Sequence, residues 1–394
     1  MSDHLPYGRQ HVTGEDVEAV LSVLTSDWLT QGPMVPAFEA AVAERCGAIH
    51  AVAVNSATSA LHIACLALGV GKGDWVWTTP ITFVATANCA RYCGAEVDFV
   101  DIDPGSYNMC PLALADKLAR AKAGHQALPK VVIAVHFAGE PCDMVALGAL
   151  ADEFGFSLIE DASHAIGAWR DDERVGECRY SDIAIFSFHP VKIVTSAEGG
   201  VAVSASEELA ERMRRARSHG VVRGGVKHEE EPWTYDQHTL GYNYRMNDLQ
   251  AALGVSQLSR LDQYIAHRHR LAERYDACLA DFDLILPARS PANRSSLHLY
   301  PVQVTQEPTD GTARRRVYHA LRAADIGVNV HYIPVHTQPY YRARGHARDP
   351  LVNAVGYYER AVTLPLFGVM TLEEQDRVME VLADTLHRTG RLAA

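Results

Sequence analysis

The sequence predicts an α/β fold: a large, mostly parallel sheet domain followed by a smaller α+β domain. Three observations carry this. Short apolar runs alternate with amphipathic helical patterns over the first 247 residues. The texture then changes near Asn247, where a long helical pattern begins. Finally, the residues best suited to chemistry fall just after the apolar runs, and parallel sheets place their functional groups at the carboxyl ends of strands.

The elements follow in order. Thr13 with Asp16 marks a helix start, and Val17, Val20, Leu21 and Leu24 continue it at helical spacing. The loop Ser26 to Pro33 leads to a helix over Val35 to Cys46. Ala51 to Val54 is a strand, and Asn55-Ser56-Ala57-Thr58 opens the next helix. Strand patterns recur at Val76 to Thr78, Val97 to Val100, Lys130 to His136, Ser157 to Glu160, Ile183 to Phe188 and Gly200 to Val203. Helical patterns lie at Phe83 to Tyr92, Leu112 to Ala123 and Met144 to Phe154. Residues 1–247 form the expected large domain and 248–394 the small one, which begins with a long interdomain helix over Asp248 to Leu279. Beyond it, His298 to Val304 and Ile326 to Tyr332 read as strands, with helices near 313–324, 353–361 and 372–386.

Composition narrows the function classes. The chain has 36 Lys+Arg against 48 Asp+Glu, a formal charge of -12, which argues against a general nucleic-acid or anionic-membrane binder. The basic stretch from Arg212 to Lys227 is the local exception, and Arg217 or Arg223 could meet a diphosphate there. Eight scattered cysteines form no Cys-x-x-Cys pair, which fits buried free thiols better than a disulfide framework or a metal site. Without a signal-peptide layout or membrane span, a cytoplasmic protein is expected.

Three stretches could carry chemistry. In Ser187-Phe188-His189-Pro190-Val191-Lys192 a lysine follows a buried strand. Desolvating an ammonium lowers its pKa, and a free amine can form an imine with a carbonyl. A lysine that snorkels to solvent is the competing explanation. Asn55 to Thr58 joins a strand to a helix start, which is an anion site or a plain N-cap. In Glu160-Asp161-Ala162-Ser163-His164 an aspartate ends a buried strand, with a histidine three residues on. Ser187 could add a hydroxyl to a phosphate cup, and Phe83 could be a stacking platform. A lysine imine, an acid for a ring nitrogen, a phosphate cup and a stacking ring are together the needs of pyridoxal 5'-phosphate. No Walker A, dinucleotide fingerprint or His-Glu-x-x-His competes.

The chain resembles the DegT/StrS group of fold-type I aminotransferases, which act on nucleotide-linked keto-sugars. The resemblance is carried by Leu29 to Pro33, Asn55 to Leu61, Ile81 to Asn88, the Lys192 stretch through Gly200, Gly241 to Arg245 and Val330 to Pro334. Ala57 and Ala197 stand where many members have glycine, and resemble the branch that serves pseudaminic acid biosynthesis. Ile193, where many have proline, leaves only the local turn shape open.

The resemblance implies Lys192 as the lysine in imine linkage to the cofactor and as the proton-moving base. It implies Asp161 at the pyridinium nitrogen, His164 near the 3-hydroxyl and Phe83 stacked on the ring. Ala57, Thr58 and Ser187 would hold the phosphate, with Asn243 from a partner chain, hence a homodimer with shared sites. Tyr7, Asp27, Trp28, Leu29, Thr30, Asn329, Val330, His331 and Tyr332 would border the sugar nucleotide. The activity implied is transfer of the amino group of L-glutamate to C4 of a UDP-linked N-acetylated 4-keto-6-deoxy sugar of the L-arabino series. Another keto-sugar nucleotide is the alternative, and a cofactor-binding sensor without turnover is a third reading. A sugar dehydratase of the same fold would have histidine in place of Lys192.

Overall fold

A computed structural model describes residues 4–222, 229–308, 310–345 and 349–391, with side chains described through 386. Arg223 and Lys227 lie outside the described residues.

The large sheet has seven strands: β1 His50–Val54, β2 Trp75–Thr78, β3 Glu96–Phe99, β4 Val131–Val135, β5 Ser157–Asp161, β6 Ile183–Ser187 and β7 Gly200–Ser204. Their spatial order is β1-β7-β6-β5-β4-β2-β3. Every pairing is parallel except the two made by β7, so β7 alone runs against the others. Strands buried on both faces read as continuous apolar runs, which is why these were conspicuous. The pleat sends alternate side chains to opposite faces. Val131 and Ile133 join one buried cluster, while Val132 and Ala134 join another.

Helices α1 Gly14–Leu24, α2 Met34–Cys46, α3 Ala57–Ala67, α4 Ala85–Tyr92, α5 Pro111–Ala123, α6 Met144–Phe154 and α7 Glu207–Arg217 accompany the sheet. The Thr13 start is a capping box: Thr13 N–H donates to Asp16 Oδ2 at 2.8 Å.

The expected long interdomain helix is two helices, α8 Asp248–Leu258 and α9 Leu261–Leu279. Arg260 leaves the helical region (φ -103°, ψ 5°), and its guanidinium turns to Asp16 Oδ1 at 2.5 Å and Tyr264 Oη at 3.1 Å. Apolar spacing persists on both sides of the break, so periodicity alone could not place it. Asp16 is fully buried and also accepts from Ser256 and Gln257.

After α9 a three-stranded antiparallel sheet, β8 Leu284–Ile285, β9 Tyr300–Val304 and β10 Ala361–Leu364, packs with α9, α10 Thr312–Ala323 and α11 Leu372–Arg391. The strand expected over Ile326 to Tyr332 is absent. Single bridges pair Ile326 with Leu5 and Asn329 with Thr363, leaving an irregular connection that carries polar side chains inward. All eight cysteines are free: five are buried, Cys93 and Cys110 are half-buried, and Cys278 is exposed.

Candidate active site

The site forms where four strand ends converge. Gly200 opens β7 between Val54, the last residue of β1, and Ser187, the last of β6. A Cβ on Gly200 would lie 2.5 Å from Ala57 N and from Ser56 O, so only glycine lets α3 begin this close to the sheet. Ser56 caps α3 by accepting from Ser59 N–H at 3.2 Å. The first-turn N–H groups at Ala57 and Thr58 have no partner within the helix and carry the positive end of its dipole.

Asp161 ends β5, beside Val135 of β4 and Ile185 of β6. It is 4% exposed. Its Oδ2 accepts from Thr86 Oγ1 at 2.6 Å, and Thr86 meets Thr82 Oγ1 at 2.8 Å. Its Oδ1 accepts from Ser163 N–H at 3.2 Å. Alternation sends the preceding Glu160 to the other face, where it meets His136 Nε2 at 2.7 Å. Because His136 Nδ1 accepts from Cys142 N–H, its Nε2 is the nitrogen that donates to Glu160. The two adjacent buried acids therefore have separate tasks.

Lys192 sits in the turn after β6. Its side chain faces an open cavity, and the surrounding protein pushes its pKa down from 10.5 to about 8 by desolvation, against the attraction of Asp161. The cavity holds about 870 Å³, the size of a substrate or cofactor site. Among the anticipated residues, Tyr7, Ala57, Thr58, Phe83, Asp161, His164, Ser187, Lys192, Asn329, His331 and Tyr332 all line it. Phe83 is 60% exposed at this wall, its ring free to meet a ligand.

Three histidines on the cavity wall are held neutral. Burial, followed by Lys192 and His331, drives His164 well below its usual range. Burial and Lys192 bring His331 down to about 3. His298 is driven down by burial, with His164, Lys192, Arg268 and His331 adding. His164 Nε2 pairs with Tyr332 Oη at 3.2 Å, while its Nδ1 is buried without a partner.

Some anticipated residues do not reach this cavity. Asp27, Trp28, Leu29 and Thr30 are exposed, and they and Val330 are not part of its wall. Asn243 is exposed, bridges Ser218 and is not part of this wall. Ser218 and Arg245 line a second cavity of about 720 Å³ with Gln31 and His219. Arg217 is not free for a diphosphate. Its guanidinium donates to Glu39 Oε1 at 2.6 Å and to Ala53 O at 2.9 Å, tying α7 to α2 and β1.

Sequence reasoning missed Thr86, His298 and Arg268. Thr82, in the bend before α4, and Thr86, in its first turn, are both buried, and two hydroxyls placed so close together in an otherwise apolar stretch were a signal for a pair. Arg268 gave none: it is 2% exposed, and its Nη1 donates to the carbonyls of Leu297, His298 and Leu366 at 2.8–3.2 Å. Those bonds place His298 in the wall, its ring centroid 4.5 Å from that of His164.

The profile of the DegT/DnrJ/EryC1/StrS aminotransferase family matches residues 10–383. The chain belongs to this family. Like it, the spore coat polysaccharide biosynthesis protein SpsC of Bacillus subtilis (strain 168) aligns over nearly everything: 37% identity across 96% of each chain. Among solved structures, Helicobacter pylori PseC, an aminotransferase involved in the biosynthesis of pseudoaminic acid, superposes with a TM-score of 0.89 at 30% identity, covering 98% of this chain and 100% of that one. Spr1654 from Streptococcus pneumoniae, in its PMP form, gives a TM-score of 0.89 at 28% identity over 98% and 99% of the two chains, and its PLP form is as similar. This DegT/DnrJ/EryC1/StrS member is thus a sugar aminotransferase with the family's α/β architecture.

Proposed function

We propose that this sugar aminotransferase uses pyridoxal 5'-phosphate, held covalently by Lys192, to move the amino group of L-glutamate to C4 of UDP-2-acetamido-2,6-dideoxy-β-L-arabino-hex-4-ulose. One observation carries the cofactor assignment: Lys192 and Asp161 face the same cavity as the start of α3 and Ser187. The donor set fits the group. A lysine of lowered pKa, a buried carboxylate fixed by a threonine, unpaired helix N–H groups and an exposed aromatic face each match one part of it. When bound, the cofactor supplies an electron sink for the carbon that gains or loses a proton.

The chain's own residues do the rest. Thr86 and Ser163 N–H hold the Asp161 carboxylate in one orientation, so that it can accept from a protonated ring nitrogen. Ala57 and Thr58 N–H, with Ser187 Oγ, bind the phosphate oxygens. Phe83 covers one face of the ring. Tyr332 orients His164 through its Nε2. Lys192 accepts and returns the proton at Nζ, and its lowered pKa keeps a useful fraction of free amine near neutral pH. Neutral histidines around it avoid adding positive charge beside that amine.

The same reading takes Asn243 to the active site of a partner subunit, making a cytoplasmic homodimer whose large and small domains meet at 247/248. The exposure of Asn243 and its absence from the wall of its own chain's cavity favour this. The pseudaminic substrate is supported by the likeness to PseC and by Ala57 and Ala197. The higher identity to SpsC favours a second reading, another keto-sugar nucleotide used in polysaccharide synthesis. Release of 2-oxoglutarate from glutamate with a panel of UDP- and dTDP-linked 3- and 4-keto-sugars tests the proposal. Turnover confined to the L-arabino 4-ketosugar supports the first reading, and preference for any other refutes it. Borohydride reduction should fix the cofactor to Lys192; a label elsewhere overturns the site assignment.

A further inference from the structure

The segment that carries Asn243 outward is held from behind by α3. Tyr242, Asn243 and Tyr244 run beside the end of α7: Tyr242 N–H donates to Ala216 O at 2.7 Å, Tyr244 N–H donates to Arg217 O at 3.0 Å, and Asn243 bridges Ser218. Successive side chains of an extended segment point to opposite sides. The rings of Tyr242 and Tyr244 accordingly stack on one side, centroids 4.9 Å apart and planes 15° from parallel, and the exposed Asn243 is left to the other.

Both tyrosines meet His62, in the second turn of α3. Its Nδ1 pairs with Tyr244 Oη at 3.1 Å, and its ring centroid lies 4.9 Å from that of Tyr242 and 5.9 Å from that of Tyr244. Tyr92 of α4 closes the group edge-on at 5.5 Å. His62 is 3% exposed, and among the described residues its Nε2 has no hydrogen-bond partner, so the Tyr244 hydroxyl alone fixes the ring by hydrogen bonding. Asn55, just before α3, adds a backbone tie: its N–H donates to Tyr244 O at 2.8 Å. Neither His62 nor Tyr244 is part of the active-site wall.

We propose that His62 is a positioning residue for the partner's active site: through the Tyr244 hydroxyl it sets the direction in which Asn243 leaves the subunit. This role rests on Asn243 crossing to a second chain. A side chain that must meet a phosphate across an interface binds best when its backbone is already fixed, because ordering it on contact costs affinity. Residues 242–244 belong to none of the sheets and make a single isolated bridge, so their order comes from the anchors on α7 and α3. The helix that begins one subunit's phosphate cup thus also holds the group sent to the other's.

Dimers mixed from differently tagged chains test this. A Lys192→Met chain paired with an Asn243→Ala chain leaves one working site, which takes Lys192 from the second chain and Asn243 from the first. His62→Phe keeps the ring and removes the Nδ1 bond. It is placed on either chain, and the pyridoxal 5'-phosphate concentration for half-maximal single-turnover release of 2-oxoglutarate from L-glutamate is measured. On the Lys192→Met chain that concentration should rise at least ~5-fold, as expected for a weakened hydrogen bond to a charged group. On the Asn243→Ala chain it should change less than ~2-fold. His62→Asn, whose amide can take the place of Nδ1, should undo most of the rise on the Lys192→Met chain. If His62→Phe does not assemble, Tyr244→Phe removes the same bond from the other side and should give the same one-sided rise. An equal rise on both chains, or none on either, overturns the positioning role. So does His62→Asn faring no better than His62→Phe, the result that ring packing alone would produce. Failure of the mixed pair with His62 intact to recover any activity overturns the crossing of Asn243 itself, and is read before any His62 variant is made.

Discussion

Replacing Lys192 with methionine should stabilise the cofactor-free protein at neutral pH. Burial beside the cavity lowers the lysine pKa from 10.5 to about 8. The folded state therefore releases a proton that the unfolded chain keeps between those two values. Stability rises with pH wherever the unfolded state binds more protons, so the penalty is fully present below pH 8 and relieved as pH approaches 10.5. A difference of 2.5 units (10.5 minus 8) at about 1.36 kcal/mol each sets a ceiling of roughly 3 kcal/mol. Water in the open cavity screens part of it, so a gain of about 1–3 kcal/mol is expected for Lys192→Met at pH 7. Urea unfolding of both apoproteins at pH 7 and pH 10 measures the gap, and taking the difference between variants cancels the titration of cysteines and tyrosines. The gap should shrink by most of its value at pH 10. A gap that is zero at pH 7, or unchanged at pH 10, would refute desolvation as the origin of the lowered pKa.

Asp161→Asn should retain the cofactor but lose at least ~100-fold in kcat, about 2.7 kcal/mol of transition-state stabilisation, in steady-state amination assays. Thr86→Val should cost roughly 1–2 kcal/mol in urea unfolding, because it leaves a buried carboxylate one hydrogen bond short. Gly200→Ala should weaken cofactor binding by about tenfold in a fluorescence titration, since its Cβ would meet backbone atoms at 2.5 Å and displace the start of α3. Unchanged binding would show that the strand and helix can separate at no cost.

The parts of this molecule legible in the sequence share one physical property: their signal is local. A strand buried on both faces must be apolar throughout, so β4 and β6 announced themselves. A lysine or aspartate at the end of such a run is conspicuous because burying a charge there needs a reason. Cysteine burial was foreseen where thiols lie in apolar runs and failed at Cys278, on the exposed side of α9. What stayed hidden depends on groups far apart in the chain. The break at Arg260 exists because Asp16, buried under α8, offers a carboxylate that helical continuation would not use. His298 reaches the cavity because Arg268, thirty residues earlier, binds the carbonyls around it. The Asp27 to Thr30 loop and Asn243 make the converse case. Sequence grouped them with Lys192, yet in a single chain they face outward. An active site completed by a second copy reconciles the two, because residues selected for one pocket need not share a chain. That reading has a mixing test: an inactive Lys192→Met subunit paired with an inactive Asn243→Ala subunit should recover one working site per heterodimer.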